Sequence, residues 1–312
     1  MTRRLDHGRL NGGACGLARF LCLFCLALPA SALECAPWSS ATPAEVDSRF
    51  ADSLLWQVVS PEGRVNHLFG TIHLDAEQVA QPSPLLVALL RDSRALWLEV
   101  ALDSAAIKAL PTLMTLPRGE ELDGLIGEDL FAHATRLLGA YGIDTAAANR
   151  LAPWAVYTTL NLPADMRGIP LDMALDRLAR EHAKPVHGLE TFAEQTAIFT
   201  AISRADQVAL LEHTVCHYDR LQTETREIVA HYRAGDLKSL LAVSTHEAGD
   251  AEDRLNQRLV AERNRIMAQR LLGPLRQGGQ LVAIGALHLP GAEGVLALLA
   301  REGFVLRPVP VH

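Results

Sequence analysis

One local pattern occurs near both ends of the 312-residue chain and constrains its fold more than any other feature. Residues 67–74 (HLFGTIHL) have the character of a strand that runs into Gly-x-x-His-Leu, and residues 281–289 (LVAIGALHL) repeat this order. Each copy is followed by a helical pattern and then by another apolar strand, at 95–100 and at 304–309. Strands near both termini with helices between them predict an α/β (α+β) fold, in which a central mixed β-sheet is built from N- and C-terminal segments.

The rest of the chain can be arranged around these strands. Apolar runs at 54–60 and 65–73 flank a Pro-Glu-Gly-Arg turn and predict a hairpin. From about 103 to 277 the pattern is mostly helical, with one short strand at 185–188. We therefore expect one domain over residues 33–312, in which a large helical insertion covers the sheet. The parts that form the sheet are residues 51–102 and 278–312, each to within a few residues.

The first 32 residues have the features of a secretory signal peptide. Four arginines accompany a nine-residue apolar run at 20–28, and Ala30-Ser31-Ala32 supplies an A-x-A cleavage site. The run is far shorter than the roughly 20 residues that a membrane-spanning helix needs. We expect residues 1–32 to be removed and the mature protein to be periplasmic or secreted, without stable membrane insertion. An uncleaved N-terminal anchor is the alternative.

Charge and motif content exclude several functional classes. The chain has 29 Lys and Arg against 36 Asp and Glu, a net charge of −7, which argues against nucleic acid as a partner. It also has no Gly-x-Ser-x-Gly elbow, Walker loop or dinucleotide-binding glycine pattern, and residues 33–312 contain no Cys-x-x-Cys pair. Serine hydrolases, nucleotide hydrolases, nicotinamide enzymes and zinc ribbons therefore lack their usual signatures.

Cleavage after residue 32 would leave two of the five cysteines, Cys35 and Cys216. In an oxidising compartment two remaining cysteines are a candidate disulfide. A bridge that closes so long a loop would stabilise the fold by on the order of 4 kcal/mol. Two independent thiols are the alternative.

His73 and His288 are the strongest candidates for chemistry. Each lies just beyond a buried strand and three residues after a glycine, which is where open α/β sheets bind ligands. Glu99 lies near the end of the apolar strand at 95–100, where a carboxylate needs a partner. Two imidazoles and one carboxylate could hold a divalent ion and leave positions for water and substrate. Alternatively, Glu99 pairs with a basic residue at the strand end.

The predicted long helix at 251–277 carries a second unusual residue. Arg263 falls in the centre of its apolar sector, with Asn264 at the edge of that sector. A buried arginine could anchor a substrate carboxylate, orient Glu99 or form a structural ion pair. His213 and His217 have i, i+4 spacing but no H-E-x-x-H order, so we expect them on a solvated helix face rather than on a metal.

Several of these segments together resemble the TraB/GumN family, which includes the TIKI metalloproteases and is related to the erythromycin-esterase/ChaN-like group. The segments are GTIHL at 70–74, LWLEV at 96–100, KPVHGLETFAEQ at 184–195, ERN at 262–264 and GALHLPGAEGVLALLAREGF at 285–304. The resemblance covers nearly all of the chain after residue 32. It implies an α/β fold and, for TIKI-like members, divalent-metal-dependent peptide hydrolysis.

The resemblance also implies a set of site residues. The two motif histidines and the strand glutamate correspond to His73, His288 and Glu99 as metal ligands. Glu190 and the pair Arg263-Asn264 match further family positions and are assigned, with Glu99, to the catalytic set. Asp172 falls near an acidic family position, although Pro170-Leu171 precedes it where a nearby glycine is expected.

Together, the residues and the resemblance predict an exported metal-dependent hydrolase, most simply a peptidase acting on a peptide or protein substrate. A Mn²⁺, Co²⁺ or Zn²⁺ ion would bind His73, Glu99 and His288, and Arg263 would stabilise charge that develops on the substrate oxygen. One alternative is a non-catalytic periplasmic protein that binds haem or a peptide. Another is a metal-free esterase-like hydrolase with His73 as the general base.

Overall fold

A six-stranded sheet lies at the centre of the fold. The computed structural model describes residues 33–38, 47–74, 82–101, 104–166, 168–244 and 249–310. The predicted signal peptide at 1–32 is outside the described residues. The strands are β1 Leu55–Val59, β2 Val65–Thr71, β3 Ala95–Val100, β4 Val186–Glu190, β5 Gln280–Gly285 and β6 Val305–Val309.

The strand order is β4-β3-β5-β2-β1-β6, and the sheet is mixed as predicted. The four strands from β4 to β2 are parallel to their neighbours, whereas β1 is antiparallel to both β2 and β6. β5 lies between β2 and β3 and is almost wholly buried, which explains its continuous apolar run. The predicted strand near 185–188 becomes β4 at the edge, so the helical middle also contributes to the sheet. The carboxyl ends of four parallel strands therefore share one edge.

Helices cover the sheet and form most of the middle of the chain. They are α1 Pro84–Asp92, α2 Ser104–Leu113, α3 Leu122–Ile126, α4 Glu128–Leu138, α5 Thr145–Ala148, α6 Pro153–Leu160, α7 Leu171–Glu181, α8 Phe192–Thr200, α9 Arg204–Cys216, α10 Tyr218–Arg233, α11 Leu237–Val243, α12 Asp250–Asn256, α13 Arg263–Gln277 and α14 Val295–Arg301. Within the described parts of the chain, no helix combines the length and apolar character needed to cross a membrane.

The buried apolar side chains form two main cores. The larger core packs both faces of the sheet against helices that include α1, α7, α13 and α14. A second core lies within the helical middle and joins α3, α4, α6 and α9. Part of the middle thus packs on the sheet, whereas another part packs on itself.

The predicted long helix at 251–277 is interrupted. Between α12 and α13 the backbone forms a π-helical stretch, Gln257–Glu262. A π-helix has a wider turn than an α-helix, and such turns often occur at functional sites. Here the turn ends immediately before Arg263, so it sets the rotational position of that side chain. Hydrophobic periodicity could not reveal this change of winding.

The predicted disulfide is present and joins Cys35 to Cys216 across a sequence separation of 181 residues. Next to it, the Trp38 ring packs edge-on against His213 and His217, at centroid distances of 5.4 and 5.1 Å. The expectation of a solvated face for these histidines is therefore wrong, because the N-terminal arm covers them.

Asn66 links β2 to its neighbours and is fully buried. Its amide nitrogen donates to the carbonyls of Val58 and Leu275, and its oxygen accepts from the Gln280 amide. Replacing Asn66 by alanine removes a buried side-chain hydrogen bond from each of these backbone groups. We expect the free energy of unfolding to fall by about 2–3 kcal/mol in urea titrations. The exposed Asn256→Ala should change it by no more than about 0.5 kcal/mol; an equal loss in both variants would contradict the argument.

Candidate functional site

The candidate site lies at the carboxyl ends of the four parallel strands. His73 follows β2 by two residues, and His288 lies in the short 3-10 turn Ala286–His288 that follows β5. Glu99 is the penultimate residue of β3, and Glu190 is the last residue of β4. Because parallel strands end at the same edge, residues that are far apart in the sequence meet there.

The missing Cβ atoms of Gly70 and Gly285, the glycines of the two repeated motifs, allow the site residues to approach one another closely. A Cβ atom on Gly70 would lie 2.9 Å from Leu289 Cδ1 and 3.0 Å from Ala286 Cα, so the turn that carries His288 packs directly on β2. A Cβ on Gly285 would lie 3.1 Å from Glu99 Oε1, 3.4 Å from His288 Cδ2 and 3.9 Å from His73 Nε2. Three candidate side chains thus converge over the end of β5.

Glu99 is the centre of the site and is buried. Its Oε1 accepts the Gly285 backbone N–H at 2.7 Å, and its Oε2 accepts Arg263 Nη2 at 2.5 Å and Gln195 Nε2 at 3.4 Å. His73 Nε2 lies 3.7 Å from Oε2, and His288 Nε2 lies 3.5 Å from Oε1. Both imidazoles therefore direct the same nitrogen towards one carboxylate.

The other nitrogen of each imidazole is held by a hydrogen bond. Asn264 donates its amide to the Glu293 carbonyl at 2.8 Å, which directs its oxygen to His288 Nδ1 at 2.6 Å. Nδ1 of His288 therefore carries the proton, and Nε2 carries the lone pair. His73 Nδ1 pairs with the Asp172 carboxylate. Partners of this kind orient histidines that bind metals, although they also occur around general bases.

Arg263 connects the carboxylates of two strands. Its Nε and Nη2 bond to Glu190, and Nη2 also bonds to Glu99. Its Nη1 donates to the Leu259 carbonyl and to His288 Nε2, both at 3.1 Å. These acceptors engage all five guanidinium N–H groups. To stabilise charge on a substrate oxygen, Arg263 would have to release one of them.

The pKa values of the two site histidines are shifted in opposite directions, that of His288 downwards and that of His73 upwards. Burial lowers the pKa of His288 to about 4, against the pull of Glu99. For His73, burial is outweighed by Asp172 and Glu99, which hold its pKa well above the usual value. The pKa of Glu99 lies well below its usual range despite burial, because of the surrounding His288, His73 and Arg263. At neutral pH His288 is uncharged, so Arg263 and His73 are the cations that face the Glu99 carboxylate there.

The side chains of the site carry donor atoms that bind cations, but they are not arranged around a common metal position in this structure. Among the residues that the structure describes, no group of three or more His, Cys, Asp or Glu side chains is arranged to hold a metal ion as it stands. An ion bound by His73, Glu99 and His288 would share two of these ligands with Arg263. The charge balance still favours a cation, because the three carboxylates of Glu99, Glu190 and Asp172 outnumber the two cations, Arg263 and His73. The residues therefore fit such an ion in donor type and charge, but Arg263 occupies two of the donor atoms.

Every residue assigned to the site from the sequence lies in this cluster. It brings together His73, Glu99, Glu190, Arg263, Asn264 and His288. Asp172, whose assignment was the weakest, contacts His73 directly from the first turn of α7. Gln195 was not singled out in the sequence. The feature that could have identified Gln195 is its position in α8, the helix that directly follows β4 and the terminal glutamate of that strand.

Several known proteins are similar to this chain in sequence. Metalloprotease TIKI2 of Danio rerio is 26% identical over 85% of this chain and 62% of the relative. Metalloprotease TIKI1 of Homo sapiens is 24% identical over 83% of this chain and 62% of the relative. The uncharacterized protein YbaP of Escherichia coli K12 is 23% identical over 78% of this chain and 90% of the relative. The chain thus spans less than two thirds of the length of the TIKI relatives.

No solved structure matches the chain significantly. The model of the TraB/PrgY/gumN family, however, matches residues 54–308, a range that contains β1 to β5, all but the last residue of β6 and every residue of the site. The resemblance predicted from the sequence is confirmed: the chain belongs to the TraB/PrgY/gumN family.

Proposed function

We propose that this protein is an exported metal-dependent hydrolase that cleaves peptide bonds, with a divalent ion held by His73, Glu99 and His288. The observation that carries the proposal is that two imidazole Nε2 atoms face one buried carboxylate while each Nδ1 is held by a hydrogen bond. The metalloprotease names of relatives at about 25% identity support the same reaction class. When bound, such an ion makes water more acidic and polarises a substrate carbonyl.

The chain's own residues would prepare the site for this chemistry. Asn264 keeps the lone pair of His288 at Nε2, and Asp172 orients the ring of His73. Arg263 holds Glu99 and Glu190 in place and offsets their charge, so it is a positioning residue. Asp172 and Glu99 raise the pKa of His73, so binding of the ion would require the release of the proton on its Nε2.

A second candidate function is supported by one contact. The pair of His73 and Asp172 has the arrangement of an oriented general base, as a metal-free esterase-like hydrolase would need. Hydrolysis that persists undiminished after chelation of all metal would favour this function over the first.

The metal assignment predicts a specific loss of binding. Purified protein should retain about one equivalent of Mn²⁺, Co²⁺ or Zn²⁺ after loading and desalting, measured by elemental analysis. His73→Ala and His288→Ala should each weaken binding by at least about tenfold, because each removes a ligand. The fold should tolerate His73→Ala, since this side chain is 57% exposed.

The matched control is His187→Ala, which removes an exposed imidazole on β4 that packs at a tilt of 32° against the Trp97 ring. It should retain the metal content of the unmodified protein. If His73→Ala and His288→Ala retained as much metal as His187→Ala, neither His73 nor His288 would be a ligand. Cleavage of a peptide library, with and without the ion and with a chelator, tests the hydrolase itself.

A further inference from the structure

A cavity of about 440 Å³ opens directly beside His73 and Glu99. Its other walls come from Ile107 on α2, Ile169 just before α7 and Met173 on α7. The volume lies within the range of about 300–1,000 Å³ that is typical of ligand pockets. Because the cavity shares residues with the site, any molecule that fills it also reaches Glu99.

Three large apolar side chains that line the cavity are exposed to solvent. Ile107 is 54% exposed, Ile169 41% and Met173 40%. Large exposed side chains on a folded protein are unremarkable singly, but a group of them around one concave surface marks a binding site. An apolar ligand group would remove this surface from water and gain affinity in proportion to the area covered.

The charges around the cavity oppose an acidic ligand. On α7, Asp176 pairs with Arg180 at 2.7 Å, and Arg177 pairs with Glu181 at 3.0 Å. Asp176 and Arg177, the charged residues of α7 that line the cavity, are therefore each paired with an oppositely charged residue of the same helix. At the opposite end, the carboxylates of Glu99 and Asp172 line the same space. The two cations of the lining, Arg177 and His73, are already paired with Glu181 and Asp172, so an acidic side chain would have to compete with these carboxylates. An apolar side chain would instead meet the three exposed hydrophobic residues.

We propose that this cavity is the specificity subsite, and that it takes an apolar side chain of a peptide whose scissile bond lies over Glu99 and His73. The inference rests on the proposed function and adds the substrate class: peptides with a large aliphatic or aromatic residue beside the cleaved bond. Ile107, Ile169 and Met173 are the residues that determine this preference.

The test uses the full chain and the peptides acetyl-Ala-Ala-X-Ala-Ala-amide, in which X is Leu, Phe, Ala or Glu. Dissociation constants are measured by calorimetry without added metal, so that cleavage does not deplete the ligand. The Leu and Phe peptides should bind at least about tenfold more tightly than the Ala and Glu peptides. Ile169→Gln and Met173→Gln should each remove most of this preference.

Ile266→Gln is the matched control, because Ile266 is 40% exposed but lies on α13 outside the cavity. It should keep the full preference. Equal binding of all four peptides, absence of binding, or an undiminished preference in both Ile169→Gln and Met173→Gln would overturn the subsite.

Cleavage of the same peptides with Mn²⁺ is followed separately by mass spectrometry. Selective binding without cleavage under any added metal would contradict the hydrolase and retain the subsite. Cleavage of all four peptides at equal rates would support the hydrolase and overturn the subsite.

Discussion

Replacing Arg263 by methionine should lower the free energy of unfolding by about 3–5 kcal/mol. Arg263, Glu99 and Glu190 are all buried, and the guanidinium is the group that bonds to both carboxylates. Methionine has a similar length, so the main effect is the loss of the cation. Two carboxylates would then remain in a site with little access to water, which is far more costly than losing an exposed ion pair. Urea unfolding of the variant and the unmodified protein measures the difference.

The control for this experiment lies two residues further along the same helix. Arg265 is 57% exposed and pairs with Glu293 at 2.9 Å, so Arg265→Met should cost no more than about 1 kcal/mol. Adding Glu190→Gln to Arg263→Met should recover part of the loss, because one of the two unpaired charges is removed. A loss below about 1 kcal/mol in Arg263→Met would show that the carboxylates do not depend on this arginine.

Replacing Glu99 by glutamine should reduce kcat/KM for peptide cleavage by at least about a thousandfold. The two side chains have nearly the same shape, but the amide can accept at only one end. Since Gly285 and Arg263 donate to opposite oxygens of Glu99, the new NH₂ group must face another donor. The variant also lacks the charge that both imidazoles face, so its metal content should fall with its activity.

The matched control is Glu302→Gln, an exposed glutamate near the end of α14. Its kcat/KM and metal content should equal those of the unmodified protein. Glu99→Gln with full activity would exclude Glu99 from the reaction and would contradict the proposed site. Circular dichroism of both variants separates a loss of chemistry from a loss of fold.

The sequence predicted the strands and the site residues for the same physical reason. Buried parallel strands are continuous apolar runs, so β3 and β5 were visible at nearly their observed bounds. Polar residues at the ends of such runs are conspicuous, which identified Glu99, His73 and His288. Arg263 was visible because a charge in an apolar helix sector requires a partner.

Other features depended on contacts that no local pattern encodes. The position of β5 between β2 and β3 follows from tertiary packing, and so does the hydrogen bond that assigns the proton on His288. The π-helical stretch before Arg263 changes the winding without a distinctive composition. His213 and His217 looked exposed because the residue that covers them, Trp38, lies in an arm about 180 residues earlier.

The central place of β5 has a consequence for how the chain assembles during synthesis. β2 and β3 are made early, but each pairs with β5 and must present an open edge until Gln280–Gly285 leaves the ribosome. Unpaired edges of apolar strands are templates for aggregation, and non-local pairing is slow. The facing edges of β2 and β3 therefore stay unpaired until β5 has been made, which exposes the growing chain to aggregation. Truncation before β5 would remove the middle of the sheet rather than its margin.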